Sequence, residues 1–196
     1  MGLNRREAAK LLAVAPVAAA FRWAPESVRE ASALAREALA GPPAQPKFFT
    51  AHEWRTVRVL VDLIIPADEQ SGSATQAGVP EFIDFMCVDD KNLQIPVRGG
   101  LAWLDLASRE AFGKAFVEGT AADQTGMLDR IAWPKRAKAE DLQGSAFFSS
   151  FRDLTASGFF SSRMGVHDLQ YIGNTFVSEW KGCPPEALAK LGVRYS

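Results

Sequence analysis

The sequence predicts an all-α fold, a compact irregular helical bundle. Apolar residues recur at helical spacing through most of the chain, and helix start and stop signals separate these stretches. No stretch shows the sustained two-residue alternation that predicts strands. The 196 residues are 47% hydrophobic and 23% charged, which suffices for one domain with one core. The formal net charge of -1 argues against nucleic-acid binding.

The first 25 residues have the pattern of a twin-arginine export leader. Arg5 and Arg6 precede an apolar stretch, Leu11–Phe21, which contains three consecutive alanines at 18–20. A membrane span needs about 20 apolar residues, so this stretch is too short. A buried amphipathic helix is the alternative, but near-continuous Ala, Leu and Val leaves no polar face. We therefore predict a leader at residues 1–25, without assigning a cleavage site.

Residues 26–47 predict a helix followed by a proline-rich linker that separates the leader from a domain at 48–196. The helix is expected over Glu26–Ala40, where Ala, Glu and Arg predominate. Thr50 and Glu53 then form a capping box, which predicts the start of the next helix. Pro66 is expected to end that helix.

The rest of the chain predicts four more helices. Pro80 opens one that forms a hairpin with its predecessor, and a longer one is expected over Pro96–Val117, weakened by its glycines. Thr120 and Asp123 cap a third helix, which is expected to end at Pro134. The apolar residues of Phe147–Leu154 again have helical spacing and predict the fourth.

No catalytic, cofactor or metal site is predicted on this chain. His52 and His167 lack a partner ligand at helical zinc-site spacing and are interpreted as structural. Asp62 and Asp84 could form a carboxylate pair, although positions on solvated helix flanks or pairing with Arg58 are favoured.

Two acidic stretches, Asp68–Glu69 and Asp89–Asp90, could attract calcium. Neither has the alternating oxygen-ligand spacing of a calcium loop. We expect solvated acidic edges at both places.

The C-terminal segment contains five large aromatic residues among Gly, Ser and Asn. They are Phe159, Phe160, Tyr171, Phe176 and Trp180. Their irregular spacing is consistent with a partner-binding surface, and folding back into the core is equally open. Cys183, between Gly182 and Pro184, is expected in an exposed loop, whereas Cys87 is expected to be buried among apolar neighbours.

Six ordered stretches carry a family resemblance: Phe48–Glu53, Leu63–Asp68, Ala77–Asp84, Gly158–Ser162, Gly165–Asn174 and Trp180–Pro184. Together they resemble the gluconate 2-dehydrogenase subunit 3 family, the small subunit of bacterial flavin-dependent sugar dehydrogenases. The resemblance spans roughly residues 48–185, most of the chain that follows the leader.

This resemblance implies a non-catalytic accessory subunit. Its partner would be a large subunit of the glucose-methanol-choline oxidoreductase family, which holds FAD and oxidises gluconate, glucose or, at the 3-position, glycosides. The small subunit would supply the leader and support folding and export of the flavoprotein, and a cytochrome c commonly accepts the electrons. The residues here do not choose among those substrates. Membrane association would be only indirect.

The resemblance also implies an oxidising periplasm, where an exposed cysteine favours disulfide formation. We therefore predict that Cys183 bridges to the large subunit, with an internal bond to Cys87 as the rival. Two other functions stay open: a free-standing periplasmic enzyme using Asp62, Asp84 and His167, and a peripheral membrane-binding helical module.

Overall fold

The computed structural model describes residues 23–41, 45–170, 179 and 182–194, and these residues confirm the all-α prediction. Eight α-helices are found among them: α1 (Pro25–Ala40), α2 (Ala51–Ile64), α3 (Val79–Asp89), α4 (Lys91–Phe112), α5 (Ala121–Ile131), α6 (Leu142–Ser161), α7 (Arg163–Asp168) and α8 (Pro185–Leu191). Short 3₁₀ turns at Phe116–Glu118 and Ala139–Asp141 precede α5 and α6. No strand occurs in this part of the chain.

Local capping starts two helices where the sequence predicted. Thr50 Oγ1 accepts the Glu53 N–H at 3.3 Å, and Glu53 Oε2 accepts the Thr50 N–H at 2.8 Å, which closes the capping box of α2. Thr120 and Asp123 close an equivalent box on α5. These interactions satisfy amides that have no partner within the helix, and they depend only on residues three apart.

The predicted bounds of the long fourth helix were wrong at both ends. The helix starts at Lys91, because Asp90 Oδ1 accepts the Asn92 N–H at 2.9 Å and caps it, so Pro96 lies inside the helix. It stops at Phe112, because Gly113 adopts a left-handed conformation with φ of 72°. Its proline removes one backbone hydrogen bond near the start, and packing on other helices compensates.

Helix α6 is the centre of the fold and packs against α1 to α5 and α7. Its buried residues recur every three or four positions from Gly144 to Phe159 and include Phe147, Phe151 and Leu154 of the core. Its glycines permit close approach: a Cβ on Gly144 would lie 2.1 Å from the Trp103 ring. The helix continues to Ser161, so Phe159 and Phe160 are helical rather than part of an irregular segment, which corrects the sequence analysis.

Helix α1 packs along α3 and contributes to the same core. Ala31 and Ala35 are buried, and the Ser32 and Ser161 hydroxyls hydrogen-bond at 2.7 Å, which joins α1 to the end of α6. The domain boundaries expected at 25/26 and 47/48 stay predictions, although α1 packs on the domain rather than apart from it.

Candidate functional site

Asp84 is a buried structural anchor, not the solvated or Arg58-paired carboxylate that was predicted. Its Oδ2 accepts the Lys47 N–H at 2.8 Å, and its Oδ1 accepts the N–H groups of Phe48 at 2.9 Å and Phe49 at 3.2 Å. A carboxylate can be buried when backbone donors compensate for its lost hydration. Asp84 thereby fixes the segment that leads into α2.

Asp62 and Arg58 also have other partners than expected. Asp62 Oδ1 accepts the Thr75 N–H at 2.7 Å, which ties the loop after α2 to that helix. The Arg58 guanidinium lies 3.8 Å from Glu81 Oε1. Asp62 and Asp84 therefore each hold a different stretch of backbone. This structural role differs from the carboxylate pair that was considered for them.

Glu81 was not singled out by sequence, yet it has an unusual environment. Its side chain is 13% exposed, and Oε2 is buried without a hydrogen-bond partner among the described residues. Burial raises the pKa of this carboxyl, and nearby Arg58 opposes the shift only in part. Glu81 lines a cavity of about 340 Å³ with Trp54 and Phe85.

His52 pairs with an aspartate that sequence analysis also missed. The His52 Nε2 and Asp105 Oδ2 atoms are 2.5 Å apart, and the other oxygen of Asp105 accepts the Phe116 N–H at 3.0 Å. Asp105 is 8% exposed, so it joins α2, α4 and a 3₁₀ turn from inside the protein. Asp105 follows Leu104 on the apolar face of α4, and this position was the sequence signal that its side chain is buried.

Arg98 of α4 also holds the start of α2, next to His52. Its Nε donates to Glu53 Oε1 at 3.0 Å, and its Nη2 donates to the Phe48 carbonyl at 2.7 Å. The guanidinium also lies 4.3 Å from the centroid of the Phe48 ring. His52, Asp105 and Arg98 line a cleft of about 240 Å³.

The acidic stretches and His167 occupy surface and capping positions. Asp68 Oδ1 accepts the N–H groups of Gln70 and Ser71, and Asp90 caps α4. His167 lies exposed on the short helix α7. Within the described ranges, no three His, Cys, Asp or Glu side chains are grouped so that they could hold a metal ion.

The structure separates the residues expected at a partner interface. Phe159 is fully buried, so it belongs to the core rather than to a partner-binding surface. Phe160 is partly buried, and its ring lies edge-on to that of Phe159 with 5.2 Å between the centroids. Tyr171, Phe176 and Trp180 lie outside the described residues, as do Arg5 and Arg6 of the predicted leader.

The two cysteines lie in the environments that were predicted for them. Cys183 is exposed, whereas Cys87 is fully buried on α3. Burial raises the pKa of the Cys87 thiol to about 12. The structure does not test either predicted disulfide.

An apolar groove of about 530 Å³ runs between the first half of α4 and the middle of α6. Trp23 and Phe147 line it, and Ile95 at its edge is 84% exposed. An exposed apolar surface of this kind is typical of a contact face. None of the described helices is both long and apolar enough to cross a bilayer.

The fold and these sites define a helical domain whose buried polar groups serve mainly to join its helices. Residues 51–179 match the family model described as gluconate 2-dehydrogenase subunit 3. The chain belongs to this family, which confirms the resemblance. The match begins at the first residue of α2, so α1 lies outside it although it packs on α3. No curated protein and no solved structure matches the chain.

Proposed function

We propose that this chain is the accessory small subunit of a periplasmic sugar, gluconate or glycoside 3-dehydrogenase. Its partner is a large catalytic subunit of the glucose-methanol-choline type, which binds FAD and passes electrons to an acceptor such as cytochrome c. The observation that carries the proposal is the family match over residues 51–179, because that family is a subunit of a dehydrogenase.

In this proposal the small subunit supplies the export signal for both chains. Arg5 and Arg6 begin the predicted leader, and the twin-arginine route carries proteins that are already folded. A flavoprotein must fold around its FAD before it crosses the membrane, so a leader on an attached partner meets that need. The small subunit also supports folding of the flavoprotein.

The proposed contact surface is the C-terminal segment. Among its aromatic residues, Phe159 is buried in the core. The proposed contacts are therefore Phe160, Tyr171, Phe176 and Trp180. Cys183 is exposed in the same segment, where it can reach a cysteine of another chain. We therefore retain an inter-subunit disulfide at Cys183.

Co-expression with a flavin oxidoreductase encoded beside this chain tests the proposal. Affinity capture of the tagged small subunit should recover a yellow partner, and the double variant Arg5→Lys, Arg6→Lys should keep both chains in the cytoplasm. Arg22→Lys is the matched control, because it changes a basic residue outside the arginine pair. A partner that reaches the periplasm equally well without this chain would contradict the export role.

Non-reducing electrophoresis of the purified complex tests the disulfide separately. A reducible heterodimer should be present in the wild type and in Cys87→Ala, and absent in Cys183→Ser. If no heterodimer band forms in the wild type, the inter-subunit bond is wrong while the subunit assignment stands.

A further inference from the structure

Residues 23–25 belong to the folded domain rather than to the leader. Trp23 is only 8% exposed and is part of the contiguous hydrophobic core. Its side chain lines the groove together with Phe147 and Phe151 of α6. The Ala24 carbonyl accepts the Val28 N–H at 3.2 Å and Pro25 is the first residue of α1, so this segment also starts the helix.

Helix α1 is equally integral to the domain. Ala31 is fully buried, Ala35 is 5% exposed, and the helix packs along α3. Loss of α1 would expose the apolar surface of α3 and break the hydrogen bond between Ser32 and Ser161. Trp23 and α1 are therefore part of the folded domain.

Sequence alone leaves the end of the leader ambiguous. Leader peptidases cut after small residues in an Ala-x-Ala arrangement. The first 40 residues contain five such triplets, at 13–15, 18–20, 31–33, 33–35 and 38–40.

The structure excludes the last three triplets. All three lie within α1, so cleavage after any of them would remove Trp23 and at least the first half of that helix. The buried surface of Trp23 and Ala31 is part of what stabilises the domain, and a chain cut there would lose it.

The first triplet fails for a different reason. The triplet at 13–15 follows an apolar stretch of only Leu11 and Leu12, whereas leaders of this kind have about 7–15 apolar residues. Pro16 would also directly follow the cleaved bond. The triplet at 18–20 instead follows the apolar stretch 11–17, which has the required length.

We infer that the leader is removed by hydrolysis of the Ala20–Phe21 peptide bond, so that the mature chain begins at Phe21. Water supplies the hydroxyl that completes the Ala20 carboxyl group and the proton that leaves Phe21 with a new amino terminus. The leader peptidase of the exporting cell catalyses this step. The inference rests on the proposed export, and it places Trp23 as the third residue of the mature protein.

N-terminal sequencing and intact-mass measurement of the complex from the periplasmic fraction test this inference. The expected first residue is Phe21. A periplasmic chain that starts at Pro16, Leu34, Arg36 or Gly41, or that keeps its leader, would contradict the inference and leave the export proposal intact. Full-length chain confined to the cytoplasmic fraction would contradict both.

Matched variants of the precursor separate the two groups of triplets. Ala20→Leu should leave an unprocessed chain, whereas Ala33→Leu, at an exposed position of α1, should be processed as in the wild type. Processing that is unaffected by Ala20→Leu and blocked by Ala33→Leu would overturn the inference.

A stability measurement tests the structural reason for the boundary. Trp23→Ala should lower the melting temperature of the mature complex by roughly 5–15 °C, because a large buried aromatic is lost. Trp23→Phe should lower it less. A melting temperature unchanged by Trp23→Ala would show that the fold does not need this residue, and the argument against later cleavage would fail.

Discussion

Replacing Gly100 by alanine should destabilise the protein, whereas the same change at adjacent Gly99 should stabilise it. A Cβ on Gly100 would lie 1.9 Å from Cδ2 of Phe147 and 2.1 Å from its Cγ, well inside van der Waals contact. A Cβ on Gly99 would meet nothing within 4 Å. Both glycines lie within α4, so the helical backbone is the same at the two positions.

Two opposing effects set the magnitudes. Alanine is favoured over glycine inside a helix by about 1 kcal/mol, which is the expected gain for Gly99→Ala. At Gly100 the same gain is opposed by the Phe147 ring, which must move by roughly 1.5 Å to restore normal contact. Phe147 is buried and packs on Phe151 at 5.4 Å between centroids, so a shift of its ring disturbs that contact. Overpacking costs about 1–3 kcal/mol, and this tight contact belongs at the upper end, for a net loss of about 1–2 kcal/mol.

Urea denaturation followed by circular dichroism measures both free energies of unfolding. The difference between the two variants should be about 2–3 kcal/mol, the sum of the expected gain and loss. Phe147→Leu should partly rescue Gly100→Ala in a double-mutant cycle, because a smaller side chain relieves the contact. Equal stability of the two alanine variants would refute the packing argument.

Three further predictions concern buried polar and thiol groups. Glu81→Gln should stabilise the protein at neutral pH. Burial raises the Glu81 pKa in the folded state, so the wild type loses stability as pH rises through that pKa. In thermal unfolding, the advantage of the Gln variant should therefore vanish below pH 4.5. Asp84→Ala should cost about 2–4 kcal/mol and accelerate amide hydrogen exchange at residues 47–49, with Asp84→Asn losing less; unchanged exchange would contradict the anchoring role. In a Cys183→Ser background, Cys87 should react with a thiol reagent only after denaturation, because its pKa is about 12 and it is buried; rapid native-state labelling would refute this.

Helix existence was predictable because it depends on neighbours in sequence. The capping boxes of α2 and α5 join residues three apart, and apolar spacing within one turn identifies the buried face. The long fourth helix shows where this reasoning fails. Pro96 was taken as a start signal. Asp90 instead caps the helix, which begins at Lys91, five residues before that proline.

The candidate site was predicted less well than the fold. Asp84 contacts Phe49, 35 residues away in sequence, and Asp105 contacts His52, 53 residues away. No local pattern distinguishes a carboxylate with such partners from one in solvent. Glu81 lies in the first turn of α3, where an exposed acidic residue is usual, and only its packing against other helices buries it.

The sequence by itself determined the helical class and the starts of α2 and α5, because capping hydrogen bonds and apolar periodicity within a few residues dictate them. Its ordered motifs identified the family. Only the tertiary structure decided which glycine tolerates a side chain, which carboxylates are buried, and that Trp23 packs into the hydrophobic core. The physical reason is that burial is a property of surfaces brought together from distant parts of the chain. Gly99 and Gly100 are adjacent and chemically identical, and only the position of the Phe147 ring makes them different.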